Sequence, residues 1–333
     1  MKAIATFSGG LDSILAALWV RNLGFEVTLL HVQHLYSADE AGREHLRAMA
    51  ERAGLPLRIV DSSAEHLETI RRPVHGYGAG MNPCVDCRIF MLRVARQVME
   101  EEGAAFVISG EVLGQRPKSQ HRKALLQSAE ESGLGDRLLR PLSANLLPDT
   151  RPVIEGWIRR EDLLSIQGRS RHEQMALAEK LGVTDYPQPA GGCVLIEKAY
   201  AARVRDAFAH LGRDNMGVDE FEMLRHGRHF RLSDRAKLIV GRDQSENDWL
   251  GAHAGDRLRV DPAVVMGPTA LVEGQSDEAD LRLALQLIAR YCDHEGDESI
   301  QLRVVRPDGT ASEVSAIPLA KDDPRIAQMR IGQ

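Results

Sequence analysis

The sequence predicts an α/β protein: a parallel sheet wrapped by helices, followed by a smaller C-terminal α+β domain. Three observations carry that expectation. Strands with few polar residues alternate with helix-length crossovers through the first half, the pattern of a sheet covered on both faces. After about Ala202 the texture changes to short strand candidates divided by turns. The 333 residues, 43% of them hydrophobic, are enough for two cores. The expected domains are 1–202 and 203–333.

Ala3 to Phe7 is a short apolar run, followed by Ser8-Gly9-Gly10-Leu11-Asp12-Ser13 and the apolar-periodic ILAALWVRNL, which Gly24 closes. Strand, glycine turn and helix follow from that order. Glu26 to Val32 predicts a second strand, Asp39 to Ala53 a helix and Leu57 to Asp61 a third strand. The irregular GYGAGMNPC leads to a helix from about Ile89 to Glu102. Ala105 to Ser109 is the fourth strand, and helix-length pieces surround Leu138 to Leu142. In the second domain RHFRL, KLIVG, RLRVD, TALVEG and SIQLRVVRPDG read as strands, and Asp277 to Tyr291 as a helix.

Lys and Arg total 42 against 48 Asp and Glu, a formal net charge of -6. That balance excludes a uniformly basic nucleic-acid coat but leaves room for a local basic face. No stretch approaches the roughly 18 consecutive apolar residues of a membrane span, so no membrane partner is expected. The opening MKAIATFSGG reads as a strand rather than a signal peptide, and a cytoplasmic protein is expected. Four cysteines are too few for a disulfide scaffold of this length.

The segment Ser8 to Ser13 has the makings of a phosphate loop. Paired glycines let the backbone approach an anion, Ser8 and Ser13 offer hydroxyls, and the helix start supplies unpaired N–H groups. Asp12 would repel a phosphate by itself, so its sensible role is to hold Mg²⁺ against the phosphates. No Lys follows the glycines, which separates the loop from GxxxxGK[ST], and the spacing also misses GxGxxG.

SGGLDS after a first strand resembles the signature of the PP-loop ATP pyrophosphatases, an adenine nucleotide alpha hydrolase-like fold. That resemblance implies ATP as cofactor, with Ser8, Gly9, Gly10, Leu11, Asp12 and Ser13 around its phosphates and with His31 and Gly110 as further contacts. It implies adenylation of a carbonyl or carboxyl oxygen, release of pyrophosphate, and displacement of AMP by a nucleophile.

Cysteines narrow the choice. Cys84 and Cys87 sit three positions apart before a predicted helix, a spacing that suits two ligands of one metal or a redox pair, with helix N–H groups expected to favour a thiolate at Cys87. Cys193 follows two glycines that would let its loop approach another element. Cys292 ends an apolar amphipathic helix and is read as filling a hydrophobic site. Zinc normally takes four protein ligands, and only His75 offers itself as a further one.

Three such cysteines beside a PP-loop resemble the tRNA thiolation branch, which includes the 4-thiouridine and 2-thiouridine synthetases. In some members three cysteines hold a 4Fe-4S cluster with one open iron, and Cys84, Cys87 and Cys193 match those ligands. In others a persulfide is used, and Asn82-Pro83-Cys84 resembles the catalytic-cysteine motif, with Cys193 as the persulfide bearer. The cluster is the expected chemistry, with zinc or persulfide chemistry as alternatives. The resemblance implies tRNA and a sulfide or persulfide donor as partners, and catalytic roles for Asp12, Cys84, Cys87 and Cys193. A carbon–nitrogen ligase with a zinc-bound CxxC and a non-catalytic RNA adaptor are the competing functions.

Local charge suggests where RNA would lie. Gly114 to Lys123 carries Lys118, Arg122 and Lys123 with no acid, and Arg169 and Arg171 precede the helix MALAEKLG. All five are candidate RNA or phosphate contacts. A third basic stretch, Leu224 to Arg242, is a candidate accessory RNA platform.

Overall fold

A computed structural model describes residues 1–37, 40–186, 193–295 and 298–332. They form two compact units, Met1–Cys193 and Val194–Gln333.

The first unit runs β1 (Lys2–Thr6), α1 (Leu11–Asn22), β2 (Glu26–Gln33), α2 (Glu40–Ala53), β3 (Leu57–Asp61), α3 (Ser63–Arg71), α4 (Cys84–Glu101), β4 (Phe106–Ile108), α5 (Arg122–Glu131), β5 (Leu138–Leu139), α6 (Arg151–Ile154) and α7 (His172–Lys180). Its sheet has the order β3-β2-β1-β4-β5, with every neighbouring pair parallel. The period-two geometry of a strand divides β1 between two cores. Ala3 and Ala5 join α1 and α7 on one face, while Ile4 joins Leu92, Ala95 and Met99 of α4 on the other. Burial on both faces explains why these strands lack alternation in sequence. The chain turns outward in opposite directions from β1, which puts a topological switch point between the ends of β1 and β4.

Two local features differ from expectation. α3 was not anticipated, and α4 begins at Cys84 rather than near Ile89. Pro83 stands before the first turn of α4, and the Asp86 carboxylate within that turn accepts from the Val74 and His75 amides. The CxxC is therefore part of the helix, not its approach.

The second unit contains α8 (Lys198–His210), α9 (Val218–Met223), β6 (Arg228–Arg231), β7 (Ala236–Val240), α10 (Gln244–Ala252), β8 (Leu258–Pro262), β9 (Ala270–Gly274), α11 (Glu278–Ala289), β10 (Ile300–Val305), β11 (Ala311–Ala316) and α12 (Pro324–Met329). Its antiparallel sheet has the order β11-β10-β8-β9-β7-β6. Ile300, Leu302 and Val304 alternate inward against α11, whose start is fixed by a reciprocal Asp277–Asp280 capping box. Cys292 is buried in this core, as its apolar setting in sequence implied. Among the described residues no helix is long and apolar enough to cross a membrane.

Candidate functional site

The loop between β1 and α1 is shaped by its own hydroxyls. Ser13 Oγ donates to the Gly10 carbonyl at 2.7 Å and lies 3.3 Å from Ser8 Oγ. Gly9 takes φ +77°, a left-handed conformation natural to glycine, and a Cβ there would meet Leu46 at 2.7 Å. Gly10 caps α1 without any side-chain bond, while the Ser13 and Ile14 amides bond back to the Gly10 carbonyl. The Leu11 and Asp12 amides are thus the first-turn donors presented to a ligand.

Gly110 closes the switch point from the β4 side. A Cβ there would fall 2.5 Å from the Asp12 carbonyl oxygen and 2.6 Å from the Ser13 Cα, so only glycine lets the two loops pack. Gln115, on the same loop, donates from Nε2 to Asp12 Oδ2 at 2.9 Å. Asp12 Oδ1 is buried with no hydrogen-bond partner, as is Gln120 Oε1. An unpartnered buried polar atom is costly.

His31 is buried and donates from Nδ1 to the Phe7 carbonyl at 2.9 Å, with burial lowering its pKa. Its ring braces the phosphate-loop strand. Lys118, Arg122 and Lys123 are exposed, although Arg122 is tied to the Leu146 carbonyl. Arg169 is exposed and Arg171 half-buried, next to the fully buried Gln174, whose side-chain amide has no hydrogen-bond partner. A parallel bridge from Leu113 to Gln167 and the Gly168 N–H bond to the Leu113 carbonyl hold this helix start beside the loop after β4.

Arg88, paired with Glu111 of the loop after β4, holds the start of α4 with Cys84 and Cys87 beside that loop. Cys87 Sγ lies 3.3 Å from Nε2 of His66, on α3. Burial pushes the Cys87 thiol up to about 12; Arg88 opposes this, while Cys193, Cys84 and Asp86 add to it. The expected thiolate is therefore a protonated thiol, because desolvation outweighs the helix start. That both other thiols act on Cys87 places the three in one neighbourhood. His66 is itself lowered to about 3 by burial and by His34, whose ring centroid is 4.8 Å away. Sequence reasoning missed His66, and also the ion pairs that set Glu111 between Arg88 at 3.1 Å and Arg140 at 2.9 Å.

The expected 4Fe-4S cluster is corrected by this geometry. Among the described residues no group of three or more His, Cys, Asp or Glu side chains is arranged to hold a metal ion. Cys87 Sγ has the His66 ring as its neighbour at 3.3 Å. The same finding removes zinc, and His75 is engaged with Glu131 at 2.8 Å.

The third basic stretch is also quieter than its sequence. Lys237 pairs with Glu273 at 2.6 Å, Arg231 with Asp206 at 2.5 Å, Arg225 with Glu222 at 3.1 Å, and Arg242 with Glu246. Paired charges of this kind offer little net field to a phosphate backbone.

Known proteins resemble the two units separately. Residues 1–143 match the family described as thiamine biosynthesis protein (ThiI), and residues 227–325 the NFACT protein RNA binding domain. A probable tRNA sulfurtransferase of Thermus thermophilus is 34% identical over 119 residues, covering 34% of this chain and 28% of the relative. A tRNA(Ile)-lysidine synthase of Thermus thermophilus is 28% identical over 175 residues, covering 48% of this chain and 31% of the relative. The chain thus spans about a third of the length of these relatives. A crystal structure of a 4-thiouridine synthetase–RNA complex with bound ATP is 21% identical at a TM-score of 0.35, covering 55% of this chain and 51% of that one. By its sequence matches, the first unit is similar to the PP-loop, ThiI-like tRNA sulfurtransferases.

Proposed function

We propose that the first unit adenylates a uridine carbonyl of tRNA with ATP and replaces the oxygen with sulfur delivered as a persulfide. The observation that supports this most is the Arg88–Glu111 pair, which holds the start of α4, with Cys84 and Cys87, to the same loop after β4 whose Gly110 closes the phosphate loop. ATP lies with its phosphates on the Ser8–Ser13 loop, and Asp12 Oδ1 is the oxygen available to the Mg²⁺ that enters as part of that substrate. The uridine oxygen attacks the α-phosphorus, and the loop amides hold the departing pyrophosphate.

Sulfur then moves in two displacements. The terminal sulfur of a Cys193 persulfide attacks the activated carbon and AMP leaves. The Cys84 thiolate attacks the Cys193 sulfur, leaving C=S on the nucleoside and a Cys84–Cys193 disulfide. A persulfide donor recharges the site after a thiol reductant has opened that disulfide.

Lys118, Arg122, Lys123, Arg169 and Arg171 draw the tRNA backbone to the crevice. The C-terminal region, taken as 203–333, serves as an accessory RNA-binding domain, a reading supported by the match over residues 227–325. The protein works in the cytoplasm.

The test is a reaction of the full chain with ATP, tRNA, a persulfide donor and a thiol reductant. tRNA-dependent pyrophosphate release and an oxygen-to-sulfur mass change in one uridine are expected, and both are lost in Asp12→Ala. Incorporation of an amine instead of sulfur would favour ligase chemistry, and ATP binding without pyrophosphate release would favour an adaptor.

A further inference from the structure

The paired charges of the second unit leave open how it would hold RNA, and its aromatic side chains supply an answer. Three rings are stacked there. The Trp249 indole, on α10, has the His226 ring 3.8 Å away between centroids and 14° from parallel, and the His253 ring 4.0 Å away and 11° from parallel. Two rings cannot share one face of an indole at such spacings, so the histidines cover opposite faces. Trp249 is held by the buried cluster of Met223, Ile239, Leu250 and Leu271. His226 follows α9, and its carbonyl accepts from Nε2 of the buried His229 at 2.8 Å. His253 ends α10 one turn after Trp249 and donates from Nδ1 to the Trp249 carbonyl at 2.7 Å, which fixes the ring. His253 is exposed, and among the described residues Trp249 is its one ring contact.

We propose that this stack is a base platform: an unpaired base of RNA lies on the outer face of His253 and becomes the fourth ring. The inference rests on the reading of the C-terminal region as an accessory RNA-binding domain, and it names the contact by which that region acts. Trp249 and His253 both fall within residues 227–325, the stretch on which that reading stands. Three rings spaced 3.8 and 4.0 Å apart continue as a base stack continues, so a base adds to them without rearrangement. Because the imidazole is already laid flat, little side-chain ordering remains to be done on binding.

Local charge favours a base over a phosphate at this place. Next to the stacked residues in the chain, Arg225 is paired with Glu222, Arg242 with Glu246 and Arg257 with Glu273, and Asp248 accepts from Gln244. Such surroundings give a phosphate backbone little attraction. An aromatic face needs none, since every base has a π-face and stacks on it whatever the sequence. The platform therefore adds affinity that salt does not screen.

The experiment titrates the full-length chain against a fluorescent single strand of about ten adenosines, and against an abasic strand of the same length and charge. His253→Ala should weaken binding of the adenosine strand by roughly tenfold, leave the abasic strand unchanged and keep the same salt slope. His253→Tyr, which retains a ring, should restore the lost affinity. Unchanged affinity of His253→Ala for the adenosine strand, an equal loss on the abasic strand, or failure of His253→Tyr to rescue would each overturn the proposal. Ultraviolet crosslinking of the adenosine strand, mapped by mass spectrometry, separates it from the reading it rests on. Crosslinks at Trp249 or His253 that fade in His253→Ala are expected. Crosslinks confined to residues 1–193 would remove RNA binding from the C-terminal region and the platform with it. Crosslinks within 227–325 that persist undiminished in His253→Ala would remove the platform alone.

Discussion

Glu111 Oε2 lies 2.9 Å from Arg140 Nε, and the two side chains are 2% and 4% exposed. Arg140 also donates to the Leu125 carbonyl and to Ser128 Oγ, so the pair ties the loop after β4 to α5. Breaking a buried pair strands a charge. Arg140→Met is expected to cost about 3–5 kcal/mol, read as a lower urea midpoint. Burial would raise the Glu111 carboxyl, but Arg88 and Arg140 hold it below the usual carboxylate range. Its contribution is therefore present above the unfolded-state pKa and lost as pH falls through the folded one. Acid titration of stability should show this loss in wild type and less of it in Glu111→Gln.

Gly110→Ala should damage nucleotide binding at its source. The added Cβ meets Asp12 and Ser13 backbone atoms, which cannot rotate away. A loss of about 1–3 kcal/mol in stability is expected from such overpacking, with a weaker ATP affinity measured by titration. Gly24→Ala is the matched control: its φ is +95° but nothing lies within 4 Å. It should lose stability through backbone strain yet bind ATP as wild type does.

Acid should loosen the thiol side of the first unit well above the range where carboxylates titrate. His34 is lowered from 6.5 to about 4, and His66 from 6.5 to about 3, both chiefly by burial. Below 6.5 the unfolded chain binds protons that these folded histidines refuse, so stability is full above that pH and falls as pH drops toward 4. His66→Phe should flatten the fall, measured by urea midpoints from pH 7 to 4.

Two thiols should resist alkylation. Burial pushes Cys87 up to about 12 and Cys292 up to about 11, and Cys292 also donates to the Ile288 carbonyl. Brief iodoacetamide treatment of the reduced chain at pH 8 should leave both unmodified, while urea at the same pH exposes them. Early labelling of Cys292 in native protein would contradict its place in the core.

The parts of this molecule written locally were readable. The phosphate loop shows in sequence because a left-handed turn at Gly9 and a helix start need particular residues at adjacent positions. The parallel sheet shows because burial on both faces leaves strands without alternation. α3 left a signal that went unused: Ser62 and Glu65 have the spacing of a capping box ahead of Leu67 and Ile70. The start of α4 was likewise marked by Pro83 and by Asp86 in the first turn. Long-range relations left no such trace. Neither the His66–Cys87 contact nor the neutralisation of Lys237 by Glu273 follows from spacing. The cluster failed for the same reason: cysteine spacing says that thiols are available, not that they converge.

The 18-residue α4 is anchored at both ends. At its start Arg88 grips Glu111; just past its end Glu102 meets Lys2 at 2.6 Å and Arg58 at 3.0 Å. A strut some 27 Å long, bolted to the sheet at each tip, resists tilting and sliding. That anchoring fixes the first turn, which carries Cys84 and Cys87, against the loop that follows β4.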